Sequence, residues 1–178
     1  MRKLEIGPRL GKRIDNTWET LDVISDNNPN IIADIAEPLT MICDEVYDII
    51  YASHVIEHVP WFKTIDCLKE LYRILKPNGV IEIWVPDFQK LIAAYHDNEL
   101  IKKDGWYKHN PAKDPMVWLN GRIFTYGPGE ENWHKSVFTS TYLSDCLYAA
   151  GFKDISRLVT PRGPDHGYIN LGLSGVKL

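Results

Sequence analysis

The run from Val46 to Ala52 is apolar at nearly every position and is broken only by Asp48. A strand with one wet face alternates apolar and polar residues, so an unbroken run of this kind belongs in a strand buried on both faces. After a short turn, Thr64 opens a segment in which Ile65, Leu68, Leu71, Tyr72 and Leu75 recur at spacings of three and four. Lys69, Glu70, Arg73 and Lys76 fall on the opposite side, which is the pattern of an amphipathic helix. Lys76-Pro77-Asn78-Gly79 stops it, and Val80 to Val85 supplies a second apolar strand. Two buried strands joined by a helical crossover pair in parallel, and a parallel sheet needs cover on both faces. The expected fold class is therefore α/β with a mostly parallel sheet.

The flanking segments extend that sheet. Lys3 to Ile6, Trp18 to Ile24 and the very short Asn30 to Ala33 read as strands that precede the central one. Pro86-Asp87 starts a helix expected to run to about Lys102, with Phe88, Leu91, Ile92 and Tyr95 as its apolar stripe. Residues 104 to 137 are rich in Trp, Tyr, Gly and Pro and read as an irregular insertion, a candidate substrate lid or sheet cover. Thr139 to Ala150 is a helix stopped by Gly151, and Ile155 to Val159 and Tyr168 to Lys177 are the last strands. The spacing leaves something out. Too few residues separate Ile6 from Trp18, or Ile24 from Asn30, for a helical crossover, which takes about a dozen. The first two crossover helices are expected to be reduced or missing. One face of the first strands would then stand bare unless residues 104 to 137 or a second subunit covers it, and a homodimer is the expectation.

A length of 178 residues suits a single domain with its own core. The net charge of -4 gives no footprint for nucleic acid, despite the small basic patch of Lys3, Arg9, Lys12 and Arg13. Cys43, Cys67 and Cys146 are odd in number and far apart, which suits reduced thiols in a cytoplasmic protein and supports neither a disulfide frame nor a zinc-cysteine site. Glu5, Gly7 and Pro8 interrupt any signal-like apolar stretch at the start, and no apolar run reaches the roughly 18 residues a membrane span needs.

Ala52-Ser53-His54-Val55, followed by Glu57-His58 and later by Leu75-Lys76-Pro77 and Gly79, resembles the central block of class I S-adenosylmethionine-dependent methyltransferases, in particular the small type-11 group. That resemblance implies a Rossmann-like sheet and S-adenosylmethionine as cofactor. Leu4-Glu5-Ile6-Gly7-Pro8-Arg9 stands where the family has a glycine loop, so Gly7 would face the methionine part and Glu5 would hold its ammonium group. Arg9 departs from the family's second glycine. Asp22-Val23 matches the end of the second strand, where an acid takes the ribose hydroxyls, and Asp34-Ile35 matches the adenine contact. Ala52, Ser53 and His54 would line the reaction centre. Later, His134-Lys135-Ser136-Val137-Phe138 and Ala150-Gly151-Phe152 also follow the family's pattern. Gly-Pro after a strand is equally an ordinary turn, and an aspartate at a strand end is often merely solvated.

Methyl transfer to a hydroxyl or amine needs alignment and removal of a proton. His54 and His58 are the candidate bases, with Glu57 orienting either one, and His134 is a further candidate catalytic residue. The competing reading is that Glu57 and His58 simply start the turn before Pro60. His54-Val55-Ile56-Glu57-His58 also spells a zinc-protease motif, but that motif requires a sustained helix, and Pro60 follows at once. Grouping of Glu57, His58 and His134 around a divalent ion resembles some RNA-modifying methyltransferases; no metal is assigned from the sequence. The expected function is methyl transfer to a small-molecule or carbohydrate-like acceptor gripped by the aromatics of the insertion, among them Trp106, Tyr107, Trp118, Tyr126 and Trp133. The alternative is a non-catalytic binding or scaffold protein on the same fold.

Overall fold

In a computed structural model that describes residues 1–8, 11–104, 114–125 and 129–178, seven strands form one sheet. These are β1 (Lys3–Ile6), β2 (Glu19–Asp22), β3 (Ile31–Ile32), β4 (Tyr47–Ser53), β5 (Leu75–Pro86), β6 (Lys153–Leu158) and β7 (Asn170–Val176). Their order is β3-β2-β1-β4-β5-β7-β6. The first five pair in parallel and β7 runs antiparallel to both β5 and β6. The sheet is mostly parallel, as expected. Among the described residues no helix links β1 to β2, and a single turn at Ser25–Asn27 stands between β2 and β3.

The period-two rule assigns the faces. Leu4, Ile6, Leu21, Ile50, Ala52, Ile81, Ile83, Leu171 and Leu173 point to one side and enter the main core. There they meet α1 (Thr64–Ile74) and α5 (Ser140–Ala150). On α1 the buried residues are Thr64, Cys67, Leu68, Leu71 and Ile74, whereas Ile65, expected inward, is 38% exposed. Cutting Leu68 or Leu71 back to alanine would cost about 2–5 kcal/mol. Arg73, expected to face water, is instead a clamp. Its guanidinium pairs with Glu70 and Asp44 and donates to the carbonyls of Leu39 (3.1 Å) and Ile42 (2.9 Å). That holds down the stretch carrying Leu39 and Ile42, which fills the core where no helix precedes β4.

The opposite face carries Tyr51 and Trp84, joined by Trp18, with Ile14, Ile49 and Leu158 against them. Its cover comes from two loops, not from the described part of residues 104 to 137. Residues 11–18 lie across β1, where Glu5 accepts a hydrogen bond from the Ile14 N–H (2.9 Å). Residues 159–166 reach back over β4 and β5, where Arg162 grips Glu82 through two bonds (2.7 and 2.6 Å) and the Gly163 N–H donates to the Tyr51 hydroxyl (3.1 Å). The bareness that suggested a second subunit is filled from within the chain.

Beyond β5 the expected long helix breaks in two, α2 (Phe88–Tyr95) and α3 (Asn98–Lys102), because Asp97 caps a new start by accepting from the Glu99 N–H. The insertion is not irregular throughout: α4 (Pro115–Ile123) starts on the Asp114 cap with proline in its first turn. Leu91, Ala94, Ile101, Trp118, Leu119 and Ile169 form a separate small core between these helices. Buried Asp104 locks it, accepting from the Trp118 indole (2.5 Å) and pairing with Arg122. No helix among the described residues is long and apolar enough to cross a membrane.

Candidate active site

Open α/β sheets bind ligands beyond the carboxyl ends of the strands, where the strand order reverses. Here the reversal lies between β1 and β4, and a cleft of about 550 Å³ opens there. Gly7, Asp22, Val23, Asp34 and Ile35 line one part of it, and His54, Glu57, His58 and His134 line the other.

The first part is shaped by turns at the strand ends. Gly7 takes φ +69, a left-handed conformation, and its N–H donates to the Leu21 carbonyl (2.8 Å). A Cβ at this position would run into Val55, which forms the adjoining wall. The Asp22 carboxylate is nearly buried and accepts from the Ile24 N–H (2.9 Å) and the Asn27 amide (2.8 Å). Each of its oxygens retains a second lone pair for a ligand. Asp34 accepts from the Ala36 N–H (2.8 Å), which folds the turn that carries Ile35.

Three expected contacts are not in the lining. Glu5 lies under residues 11–18 on the other face of the sheet, at 3% exposure, and burial pushes its carboxyl above the usual range. It anchors the shortened crossover. Ala52 is fully buried in the main core, and Ser53 sits beside Tyr51 on the other face; strand alternation turns both away from the cleft. Arg9, Trp106, Tyr107 and Tyr126 lie outside the described residues. Trp118, expected to grip substrate, is fully buried in the small helical core.

In the second part His54 leaves β4 with φ 55, its backbone N–H bound to the Trp84 carbonyl (2.8 Å). Its Nε2 faces the Asn170 side-chain oxygen at 2.8 Å, and the Asn170 amide donates to Asp165 (2.6 Å). A carbonyl oxygen only accepts, so Nε2 carries the proton. His166 stacks on the ring at 3.9 Å between centroids. His54 Nδ1 lies 3.2 Å from Glu57 Oε1, off the line of a hydrogen bond. With Nε2 held by Asn170 and Nδ1 facing the Glu57 carboxylate, His54 is a positioning residue rather than a base open to an acceptor.

Glu57 is 1% exposed and, among the described residues, neither carboxylate oxygen has a hydrogen-bond donor. Burial alone would push this carboxyl up, yet His54 beside it, with His58 and His134 close by, holds it down at about 2. His58 Nδ1 meets the Trp133 carbonyl (3.2 Å) and His134 Nδ1 meets the Arg122 carbonyl (3.1 Å). Carbonyls only accept, so both rings carry their proton on Nδ1 and leave the Nε2 lone pair unused by these bonds. Burial also pushes the His134 imidazole below its usual range, against the pull of Glu57. Backbone bonds fix the group: the Glu57 carbonyl accepts from the Lys135 (2.7 Å) and Ser136 (3.1 Å) N–H groups, and the His134 N–H donates to Phe124 (2.9 Å).

The methyltransferase domain model matches residues 11–157, which is most of the chain. The chain belongs to the methyltransferase domain family. An uncharacterized methyltransferase of Schizosaccharomyces pombe is 33% identical over 73 residues, 40% of this chain and 28% of that protein, so the match spans under a third of the relative's length. Among solved structures, a SAM-dependent methyltransferase from Archaeoglobus fulgidus superposes with a TM-score of 0.60 at 16% identity, over 99% of this chain and 86% of the other. The 1,6-didemethyltoxoflavin-N1-methyltransferase of Burkholderia thailandensis, solved with S-adenosylhomocysteine, gives 0.53 at 14% identity, over 98% and 70%. At those identities the likeness is one of fold, and the family's Rossmann-like sheet is the sheet described above. Sequence reasoning missed Val55, His166 and Asn170. The signal for the last two was topological: β7 is antiparallel, so its first residues arrive at the carboxyl ends of β4 and β5.

Proposed function

We propose that this family member is an S-adenosylmethionine-dependent methyltransferase. Its cofactor lies along Gly7, Asp22 and Asp34-Ile35, and its acceptor sits against Glu57, His58 and His134. The observation that carries this reading is one continuous cleft with both sets of residues in its wall. The carboxylate of Asp22 suits the ribose diol, and the close backbone approach at Gly7 suits the methionine part. An oxygen or nitrogen lone pair of the acceptor attacks the sulfonium methyl in line. The new bond to carbon forms as the carbon–sulfur bond breaks, leaving S-adenosylhomocysteine. Proton acceptors at His58 and His134, with Arg122, Thr125 and Asn132 also in the wall, support a polar acceptor. We read that acceptor as a hydroxyl or amine on a small molecule or carbohydrate-like compound. Three unpaired thiols support a reducing, cytoplasmic setting.

Calorimetric titration with S-adenosylmethionine and S-adenosylhomocysteine tests the reading. The parent protein should bind both, and Asp22→Ala should bind about 10- to 150-fold more weakly, as expected for losing a charged acceptor worth about 1.5–3 kcal/mol. Absence of binding at millimolar cofactor would leave a non-catalytic protein on this fold. Unaltered binding by Asp22→Ala would remove Asp22 from the site.

A further inference from the structure

The unused lone pairs at the acceptor end have an arrangement of their own. Glu57, His58 and His134 each offer one ligand atom, and these atoms lie within 4.8 Å of one another. We propose that Glu57, His58 and His134 hold a divalent transition-metal ion of the zinc class at the acceptor end of the cleft.

Two independent observations point to a cation. The first is Glu57, a nearly fully buried carboxylate that lines the cleft with no hydrogen-bond donor on either oxygen among the described residues. The His54 ring stands 3.2 Å from one oxygen, yet a buried anion with no hydrogen bond to either oxygen is costly, and a cation in front of it supplies the missing partner. The second is the pair of imidazoles. Metal-binding histidines donate their other ring N–H to a carbonyl or carboxylate, which fixes the tautomer and aims the lone pair. His58 and His134 do this through Nδ1 to the Trp133 and Arg122 carbonyls, so each has Nε2 left as the ligand atom. Two imidazole nitrogens with one carboxylate suit zinc and its neighbours rather than magnesium, which prefers oxygen. Three protein ligands leave a fourth position open, as in sites that work on a substrate.

His54 is not part of this set. Its Nε2 is held by Asn170 and its ring stacks on His166, so it braces Glu57 from behind. That separates the site from the zinc-protease reading of the same motif, which would use His54 as a ligand.

The catalytic role rests on the methyl-transfer reading. An acceptor hydroxyl in the open position would be acidified by the ion, its proton leaving to water. The resulting oxyanion attacks the methyl carbon, forms the carbon–oxygen bond and releases S-adenosylhomocysteine. One carboxylate, two neutral imidazoles, a divalent ion and one oxyanion sum to zero charge, which suits a partly enclosed site.

The test uses the full chain after chelator treatment. Zn²⁺ is titrated calorimetrically, and Co²⁺ is added as a spectroscopic probe whose visible bands report four-coordination. One equivalent should bind, with the intense bands of a tetrahedral site. His58→Ala and Glu57→Gln should each weaken binding at least about 100-fold, and His96→Ala, a histidine outside the cleft, should not. His58 is only partly buried, so its variant keeps the test open if Glu57→Gln fails to fold. No stoichiometric binding by the parent, or parent-like binding by His58→Ala, overturns the proposal. S-adenosylhomocysteine titrated in parallel separates the two readings. Cofactor binding without metal binding sinks the ion alone, and metal binding without cofactor binding sinks methyl transfer alone.

Discussion

Replacing Gly7 with alanine tests the construction of the cofactor end. Two costs follow from its geometry. At φ +69 an L side chain crowds its own backbone, a penalty of about 1–2 kcal/mol. The new Cβ also overlaps Val55, whose isopropyl group must leave its preferred rotamer at a further ~0.5–1.5 kcal/mol. Together these remove on the order of 2–3 kcal/mol, a large part of the roughly 5–15 kcal/mol that holds a domain folded. Urea unfolding should show an earlier midpoint with an unchanged slope, and the melting temperature should fall by roughly 5–10 °C. Val55 is cleft wall, so its displacement should also weaken S-adenosylhomocysteine binding among molecules that remain folded. Val55→Ala in the Gly7→Ala background removes the overlap, so the double variant should be more stable than the sum of the single changes. The reasoning is refuted if Gly7→Ala unfolds at the parent's midpoint, or if the two substitutions simply add.

Further outcomes concern the loop that stands in for the first crossover and the small helical core. Glu5 has its folded-state pKa raised by burial, so it contributes stability below the unfolded value, and that contribution is lost as pH rises through the folded value. Glu5→Gln keeps an oxygen for the Ile14 N–H and removes the buried charge. Thermal melts should show it more stable than the parent at pH 7, with the advantage gone near pH 4; a variant less stable at pH 7 would contradict this. Asp104→Ala removes the buried carboxylate that pairs with Arg122 and accepts from the Trp118 indole. Denaturant unfolding should register a loss of about 3–5 kcal/mol, and a loss below about 1 kcal/mol would mean that the pair does not lock the small helical core.

The central unit was legible because its periodicities are strong. Continuous apolar strands and a stripe spaced by three and four left one arrangement, and the counted gaps around residues 7–17 and 25–29 hold, among the described residues, no more than the turn at Ser25–Asn27. Gly7, Asp22, Asp34 and His54 could be placed because strand ends are where such sheets bind. Glu5, Ala52 and Ser53 do not line the cleft for a related reason: a motif names positions along the chain, but strand alternation decides which side of the sheet each one meets. Arg73 shows the same gap. Its spacing on α1 says water, yet the carbonyls of Leu39 and Ile42, from a segment without periodicity, come to meet it. Helix α4 was hidden by the aromatic-rich composition of residues 104 to 137, although Asp114-Pro115 carried a start signal that could have been read.

The bond between His54 and Asn170 joins residues 116 positions apart and has a consequence for the order of folding. Synthesis delivers β4 and β5 long before β7, at roughly 5–20 residues per second. Until β7 arrives, β5 stands as an open edge whose unpaired backbone invites another chain, with Ile81, Ile83 and Val85 beside it. The strand that closes that edge also brings the side chain that orients His54. A nascent chain therefore loses its most aggregation-prone border in the same step that completes the cleft, and a chain stalled before that step is both sticky and inactive.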